Sequence, residues 1–310
     1  MGYKLSRRRF GQLVLAGTVV SGFSYLTNKA LAQTPLNIVG IGSTSIITTD
    51  QTAIPEVNTT EFERTDQNSV STTDIQPVGL VLQSLITGKA QLITDKSTPL
   101  LEPNEILSGF TSLSDGTLVL AITPVTTSRR QATATRITFL GTAVKTLTVS
   151  GLKQNQQLGS LLGTNDGRLI GLVGNKNGTP PIRLVDINLQ TGEISSISQV
   201  KFPNDERVSN LAECPDGKLY TSLLGFDGNT TLVQLDSNQK RPIVLAQLKV
   251  DGKAWNNGLQ NLICSGTGQL LAFGAMRYQT PNAVYSIDKN SGNMTRLEDF
   301  DVTQIALARG

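Results

Sequence analysis

The sequence predicts an all-β protein of the β-propeller class, with five four-stranded blades closed by strands from both ends of the chain. The first observation is a turn phrase that returns about every fifty residues, in which an aspartate–glycine or threonine–glycine pair precedes a short apolar run. The leucines after this pair are spaced by 51, 50 and 51 residues, at Leu118, Leu169, Leu219 and Leu270. A period of about 40 to 50 residues built from short strands and tight turns is typical of a propeller blade.

The second observation is another tight turn, containing threonine or serine followed by glycine, in the other half of each repeat. Its clearest copies are Thr87-Gly88, Thr191-Gly192 and Ser291-Gly292, each between two short strand-like runs. Glycine supplies the positive φ that a tight hairpin turn needs. Each repeat is therefore predicted to contain an inner strand pair around the first turn and an outer pair around the second.

The number of strand pairs predicts five blades. Outer pairs are predicted near 78–93, 134–149, 182–198, 231–247 and 283–298, and complete inner pairs at 108–123, 159–174, 208–224 and 259–274. We expect the fifth inner pair to form from 302–307 and 36–47, because closing the ring removes sheet edges that would otherwise promote aggregation. Six blades are the alternative count, and a sandwich or an open solenoid is the alternative fold.

The first 32 residues are predicted to be an export signal. Ser6-Arg7-Arg8-Arg9-Phe10 resembles the twin-arginine motif, a modestly apolar stretch follows, and Ala30-Leu31-Ala32 has the small-x-small pattern of a peptidase site. We expect 1–32 to be removed and 33–310 to form a single propeller domain in the periplasm, the thylakoid lumen or the extracellular space. The alternative is a short N-terminal anchor that is never cleaved.

The predicted export signal accounts for the net positive charge of the chain. The chain has 27 basic and 24 acidic residues, and five of the basic residues but none of the acidic ones lie in 1–32. The remaining domain has a formal charge of −2 and no basic stripe that could neutralise a phosphate backbone. A nucleic-acid partner is therefore not expected, and membrane contact is expected only transiently, through the signal.

The absence of histidine from all 310 residues excludes several chemistries. Ser-His-Asp and Cys-His catalysis and histidine-ligated zinc, copper or haem are ruled out. Cys214 and Cys264 lack metal-ligand spacing and are expected to be buried free thiols, with a disulfide as the alternative. No phosphate-binding loop or dinucleotide fingerprint occurs, so no cofactor is predicted.

The candidate binding residues lie on loops that converge on one face of the predicted ring. Asparagines precede successive inner strands at intervals of 51, 49 and 52 residues, and with nearby carboxylates they are expected to surround the channel mouth. Their alternative role is in the turns themselves. The single tryptophan is a candidate stacking platform for a sugar or aromatic ligand, with packing between blades as its alternative. The candidate residues are Asn104, Glu105, Asn155, Asn204, Asp205, Glu206, Trp255, Asn256, Asn257 and Arg277.

Two repeats resemble blades of the calcium-dependent lactonase and strictosidine-synthase-like propellers. The resemblance lies in PNDERVSNLAECPDGKLYTSLLG and NNGLQNLICSGTGQLLAF, in which Asn204 or Asn257 precedes an inner strand. It implies a divalent metal at the channel mouth, held by asparagines and a glutamate. Asn204 and Asn257 match this pattern, and no matching glutamate precedes the first blade. Calcium is therefore the implied alternative to a metal-free protein.

These features favour a non-enzymatic binding or scaffold module of the cell envelope, with a glycan, a peptide or an envelope protein as partner. The alternative is a metal-assisted or carboxylate-based hydrolase acting on a sugar or lactone. Glycoside hydrolysis needs two carboxylates beside the bond. Several carboxylates lie on the predicted binding face: Glu105, Asp205, Glu206, Asp299 and Asp301.

Overall fold

The computed structural model describes residues 37–44, 78–86, 89–92, 98–102, 104–125, 133–141, 143–202, 206–236, 241–279 and 281–309. Regular structure in these residues is β-strand alone, arranged in five sheets around a central channel. The predicted export signal lies outside the described residues. Within the described ranges, no helix is long and apolar enough to cross a membrane.

The prediction of five blades is confirmed. Blade 1 contains β1 (Ile38–Thr44), β2 (Val78–Ile86) and β3 (Lys89–Leu92), and β4 (Thr98–Leu101) also pairs with β2. Blade 2 contains β5 (Glu105–Ser112), β6 (Leu118–Pro124), β7 (Arg136–Leu140) and β8 (Val144–Thr148). Blade 3 contains β9 (Gln156–Gly163), β10 (Leu169–Asn175), β11 (Ile182–Ile187) and β12 (Ile194–Val200).

Blades 4 and 5 complete the ring. Blade 4 contains β13 (Arg207–Glu213), β14 (Leu219–Leu224), β15 (Thr230–Leu235) and β16 (Ile243–Gln247). A short hairpin follows, formed by β17 (Lys249–Val250) and β18 (Lys253–Ala254). Blade 5 contains β19 (Asn261–Cys264), β20 (Leu270–Gly274), β21 (Ala283–Ile287) and β22 (Asn293–Asp299), and the hairpin extends its outer edge. The last strand, β23 (Gln304–Leu307), returns to blade 1.

The ring closes as predicted, with strands from both terminal regions. β23 pairs antiparallel with β1, with Ile38 opposite Leu307 and Ile41 opposite Gln304. The innermost strand of blade 1 therefore comes from the C-terminal region, and its other strands come from the N-terminal region. Hydrogen bonds across this seam remove an exposed edge at the centre of the ring.

The recurring aspartate–glycine phrase forms the turn between the two inner strands. In blade 2 the amide of Leu113 donates to the Thr117 carbonyl at 2.8 Å, and the amide of Gly116 donates to the Leu113 carbonyl at 3.1 Å. Gly116 has a φ of 85°, a conformation that L side chains adopt at a cost. The same bonds and positive φ recur at Gly167, Gly217 and Gly268. The phrase therefore recurs in the sequence because the same glycine-dependent turn joins the inner strands of these blades.

Each pair of neighbouring blades is held by its own hydrophobic cluster and by a side-chain hydrogen bond. Five separate clusters of buried side chains fill the five interfaces. The crossing bonds are Gln304 Nε2 to the Leu107 carbonyl (3.0 Å), Gly163 N to Thr111 Oγ1 (2.9 Å), Asn165 N to Glu213 Oε2 (2.7 Å), Asn210 Nδ2 to the Leu259 carbonyl (2.9 Å) and Ile305 N to Asn261 Oδ1 (2.9 Å). Packed, hydrogen-bonded blades fix the relative positions of the loops at each face.

The expectation of two free thiols is wrong. Cys214 and Cys264 form a disulfide, with Cα atoms 5.1 Å apart. Cys264 ends the innermost strand of blade 5, and Cys214 directly follows the innermost strand of blade 4. The expectation assumed a separation too large for a disulfide, but innermost strands converge towards the channel axis, and 5.1 Å lies within the usual range.

Candidate functional site

The propeller has two faces with different connections. The loop face carries the segments that lead into each innermost strand and the loops between the second and third strands of each blade. The turn face carries the tight aspartate–glycine and threonine–glycine turns. The described segments that carry the predicted site residues all lie next to strand ends at the loop face.

The central channel is smaller than a typical small-molecule pocket. Its volume is about 110 Å³, and the innermost strands fill it with serine, threonine and amide groups. Ser108 Oγ lies 2.8 Å from Thr123 Oγ1, and the Asn210 amide donates to the Leu259 carbonyl. Small-molecule pockets usually measure about 300 Å³ or more. A larger ligand must therefore bind at a mouth of the channel or on a face.

Asn104 and Asn155 occupy equivalent turn positions in blades 2 and 3. Their φ angles are 71° and 61°, in the left-handed region that asparagine tolerates better than most residues. Their carbonyls accept hydrogen bonds from the amides of Val125 (2.6 Å) and Lys176 (3.1 Å), at the ends of the second strands. These contacts support a role in the turns, and a role in binding stays a prediction.

Glu105 is neutralised inside its own blade. Arg136 donates from Nε to Oε1 at 3.0 Å and from the guanidinium terminus to Oε2 at 2.6 Å, and the Glu105 side chain is 13% exposed. The hydrogen bond from Arg136 lowers the pKa of Glu105. A paired, ionised carboxylate is unsuited to act as a general acid.

The interpretation of Trp255 as an exposed stacking platform is wrong. Trp255 is 0% exposed and packs edge-to-face on Tyr285, with ring centroids 5.2 Å apart. The β17–β18 hairpin turns the chain back, so that the Trp255 amide donates to the Leu248 carbonyl at 2.8 Å. The indole therefore fills the interface between blades 4 and 5, which was the structural alternative.

Asn256 and Asn257 connect the loops of blades 4 and 5. The Asn257 amide donates to the Ala275 carbonyl at 3.0 Å, and the Asn257 carbonyl accepts the Thr230 hydroxyl. Asn256 Oδ1 accepts the Arg277 amide at 3.1 Å. This short segment therefore holds the loop between β14 and β15 and the loop between β20 and β21 in a fixed relation.

Each of these two loops presents a fully exposed aromatic ring. Phe226 and Tyr278 are both 95% exposed, and the Arg277 guanidinium lies 5.6 Å from the Tyr278 ring centroid. We call Phe226, Asp227, Asn256, Arg277 and Tyr278 the blade 4–5 loop surface. Phe226 was not among the residues predicted from the sequence. Its position between two glycines, in Gly225-Phe226-Asp227-Gly228, could have indicated an aromatic side chain at the tip of a turn.

Glu206, on the loop face, is a carboxyl group whose ionisation is disfavoured. Its Oε2 atom is buried and has no hydrogen-bond partner among the described residues. Burial and the charge of Asp227 raise the pKa of Glu206. Hydrogen bonds from the backbone and side chain of Asn229 lower the pKa of Asp227. Asn204 and Asp205 lie outside the described residues, so their predicted role stays a prediction.

The calcium site implied by the lactonase resemblance also stays a prediction. Among the residues that the structure describes, no three Cys, Asp or Glu side chains lie together in a way that could hold a metal ion. Asn257 uses its amide on the Ala275 carbonyl and accepts the Gly258 amide at 3.0 Å. Its contacts are those of a structural residue.

Comparisons with known proteins assign no family. No family model matches the sequence, and no curated protein matches it. Similar solved structures include an oligogalacturonate lyase in complex with manganese, with 13% identity, a TM-score of 0.42 and coverage of 71% of this chain and 62% of the lyase. The α-L-arabinanase of Penicillium chrysogenum has 15% identity and a TM-score of 0.45, with 74% and 76% of the two chains covered.

A third similar structure is regucalcin, a calcium-binding protein from Agrobacterium tumefaciens. It has 12% identity and a TM-score of 0.38, with 71% of this chain and 69% of regucalcin covered. The chain thus spans less than two thirds of the length of the lyase and more than two thirds of the lengths of the arabinanase and regucalcin. At these identities and TM-scores, the likenesses carry no inference about activity.

Proposed function

We propose that the protein is an exported binding protein that holds a glycan at the blade 4–5 loop surface. The observation that carries the proposal is the pair of aromatic rings, Phe226 and Tyr278, each 95% exposed on loops of neighbouring blades. Covering a large apolar side chain that is exposed to water lowers the free energy. Both aromatic residues lie on the loop face of the propeller.

The residues that accompany the two rings on these loops favour a sugar over an apolar peptide. Asp227, Asn256 and Arg277 are polar or charged, and no described contact joins the two rings into one apolar patch. A saccharide has C–H surfaces that fit aromatic faces and hydroxyl edges that fit amide, carboxylate and guanidinium groups. A hydrophobic partner would need a contiguous apolar surface instead.

The loops that carry the rings are already ordered. In blade 4 the amide of Gly225 donates to the Asn229 carbonyl at 2.9 Å, and the amide of Gly228 donates to the Gly225 carbonyl at 3.0 Å. In blade 5 the Arg277 amide is held by Asn256. Preorganised loops lose little conformational entropy on binding, which favours affinity from a small surface.

Export is part of the same proposal. The twin-arginine-like residues Arg7 and Arg8 support it, and so does the Cys214–Cys264 disulfide, because disulfides persist mainly in oxidising compartments. Replacement of Arg7 and Arg8 by lysine is expected to leave the uncleaved precursor in the cytoplasm. Normal export of this double variant would exclude the twin-arginine route.

The test of binding uses an array of envelope polysaccharides probed with mature protein, with a peptide array run in parallel. The Phe226→Ala/Tyr278→Ala variant is expected to bind the captured glycan at least about tenfold more weakly, a loss of about 1.4 kcal/mol. Val244→Ala, which truncates an exposed apolar side chain on the outer strand of blade 4, is the matched control. Unchanged binding by the double variant, or capture of peptides alone, would refute the proposal.

A second candidate function, a carboxylate-based hydrolase, is favoured by Glu206 and Asp227. Their pKa values shift in opposite directions, which is the arrangement that separates a general acid from an ionised carboxylate. Here Glu206 would donate the proton and Asp227 would stay ionised. Turnover of aryl glycosides or lactones that is abolished by Glu206→Gln and retained by Glu105→Gln would support it. No turnover of either substrate class would remove this candidate.

A further inference from the structure

The turn face, opposite the proposed glycan surface, contains a pocket of about 400 Å³. It opens beside the end of the central channel, and blades 1, 3, 4 and 5 contribute its walls. Its size lies within the usual range of small-molecule sites. The proposed function does not use this pocket.

Arg309 is held at the edge of the pocket. It follows the innermost strand of blade 1, yet its guanidinium donates to the Thr164 carbonyl at 3.2 Å and to Asn165 Oδ1 at 3.3 Å in blade 3. Blades 1 and 3 are not neighbours, so the side chain crosses the end of the channel. A guanidinium has five N–H donors, and these two bonds leave others for a ligand.

A carboxylate lies close to this guanidinium. Glu213 Oε2 accepts the Asn165 amide at 2.7 Å, so Asn165 contacts both charged groups. Both Glu213 and Arg309 line the pocket and the channel. The pocket thus contains one positive and one negative group at fixed positions and has no net charge from this pair.

The rest of the pocket lining combines apolar side chains with hydrogen-bonding groups. The apolar side chains include Ile38, Leu271 and Leu307, of which Ile38 and Leu271 are buried. Ser265 and Gln269 add hydrogen-bonding groups from the turn of blade 5. A ligand with an apolar body and polar ends would match both kinds of group.

We propose that this pocket binds a short zwitterionic peptide of two or three residues. Its carboxylate would pair with Arg309, its ammonium group with Glu213, and its side chains would contact the apolar residues of the lining. A simple anion would be repelled by Glu213 and a simple cation by Arg309, whereas a zwitterion matches both charges. A single amino acid would leave much of the pocket unfilled.

The test is calorimetric titration of the mature, oxidised protein with leucyl-leucine. The matched probes are N-acetyl-leucyl-leucine, which lacks the ammonium group, and leucyl-leucine amide, which lacks the carboxylate. We expect leucyl-leucine to bind and each blocked form to bind at least about tenfold more weakly. Because this comparison uses the wild-type protein, it does not depend on the folding of any variant.

Variants assign the two ends of the ligand. Arg309→Gln is expected to weaken leucyl-leucine binding about tenfold but to have little effect on binding of the amide. Glu213→Gln is likewise expected to weaken leucyl-leucine binding about tenfold but to have little effect on binding of the acetylated form. Arg296→Gln, on the outer strand of blade 5, is the control. Absence of saturable binding up to about 1 mM, or equal binding of blocked and free peptides, would overturn the proposal. Phe226→Ala/Tyr278→Ala should leave peptide binding unchanged, which separates this site from the glycan surface.

Discussion

Opening the Cys214–Cys264 disulfide is expected to destabilise the propeller strongly. The bond closes a loop with a sequence separation of 50 residues and joins the innermost strands of blades 4 and 5. Loop-closure entropy in the unfolded chain predicts a contribution of about 4 kcal/mol for such a loop. For a domain of this size, the loss should lower the melting temperature by roughly 10 °C.

The assay is urea unfolding of the mature protein with and without reductant, followed by the fluorescence of Trp255. This residue is the only tryptophan and lies at the interface that the disulfide spans, so its emission reports on the relevant part of the fold. Cys214→Ala/Cys264→Ala is the matched variant. It should unfold near the reduced wild-type protein, and reductant should not change its midpoint.

Two results would refute this reasoning. Titration of two thiols in protein isolated without reductant and denatured would show that the bond does not form. Equal unfolding midpoints for oxidised and reduced wild-type protein, in the presence of a confirmed disulfide, would show that loop closure in the unfolded chain does not contribute as calculated.

Three further predictions concern single side chains. Glu105→Gln should lower the free energy of unfolding by about 2 kcal/mol at neutral pH. Because Arg136 lowers the folded-state pKa of Glu105, this stabilisation is lost as the pH falls through that pKa, so the urea midpoints of variant and wild type should converge in acid. Glu206→Gln should have the opposite pH dependence. Burial raises the pKa of Glu206, so ionisation of this side chain destabilises the folded protein as the pH rises through that pKa. The variant should therefore be more stable than the wild type only above that pKa. The fluorescence of Trp255 should resist acrylamide quenching with or without a bound glycan, and efficient quenching would contradict its burial. Trp255→Ala should lower the free energy of unfolding, measured in urea, by about 3 to 5 kcal/mol.

The repeat made the fold predictable because each turn has a local cause. The positive φ at Gly116 and at its counterparts requires glycine, and the flanking strands alternate with turns at the period of one blade. The closure between β1 and β23 was predictable for a related reason. Five outer pairs with four complete inner pairs leave one missing pair, and the terminal segments were the apolar runs that remained.

The candidate site was less predictable, because a sequence position on a loop does not specify where the side chain points. Asn104 and Asn155 were placed on the loop face by counting, yet both adopt left-handed turn conformations. Trp255 was placed on a loop, but the preceding hairpin turns it into the core. Phe226 occupies a similar loop and is fully exposed, since no hairpin returns it to an interface.

The sequence by itself determined the blade, the number of blades and the closure of the ring, because these depend on local turn conformations and on hydrophobic periodicity. Only the tertiary structure decided which residues from different blades meet. The disulfide between Cys214 and Cys264, the contact of Arg309 with Asn165 across the channel, and the burial of Trp255 all join segments far apart in the chain. The first two contacts depend on the convergence of the innermost strands at the axis, and the burial of Trp255 depends on the packing of blade 4 against blade 5, neither of which a linear repeat encodes.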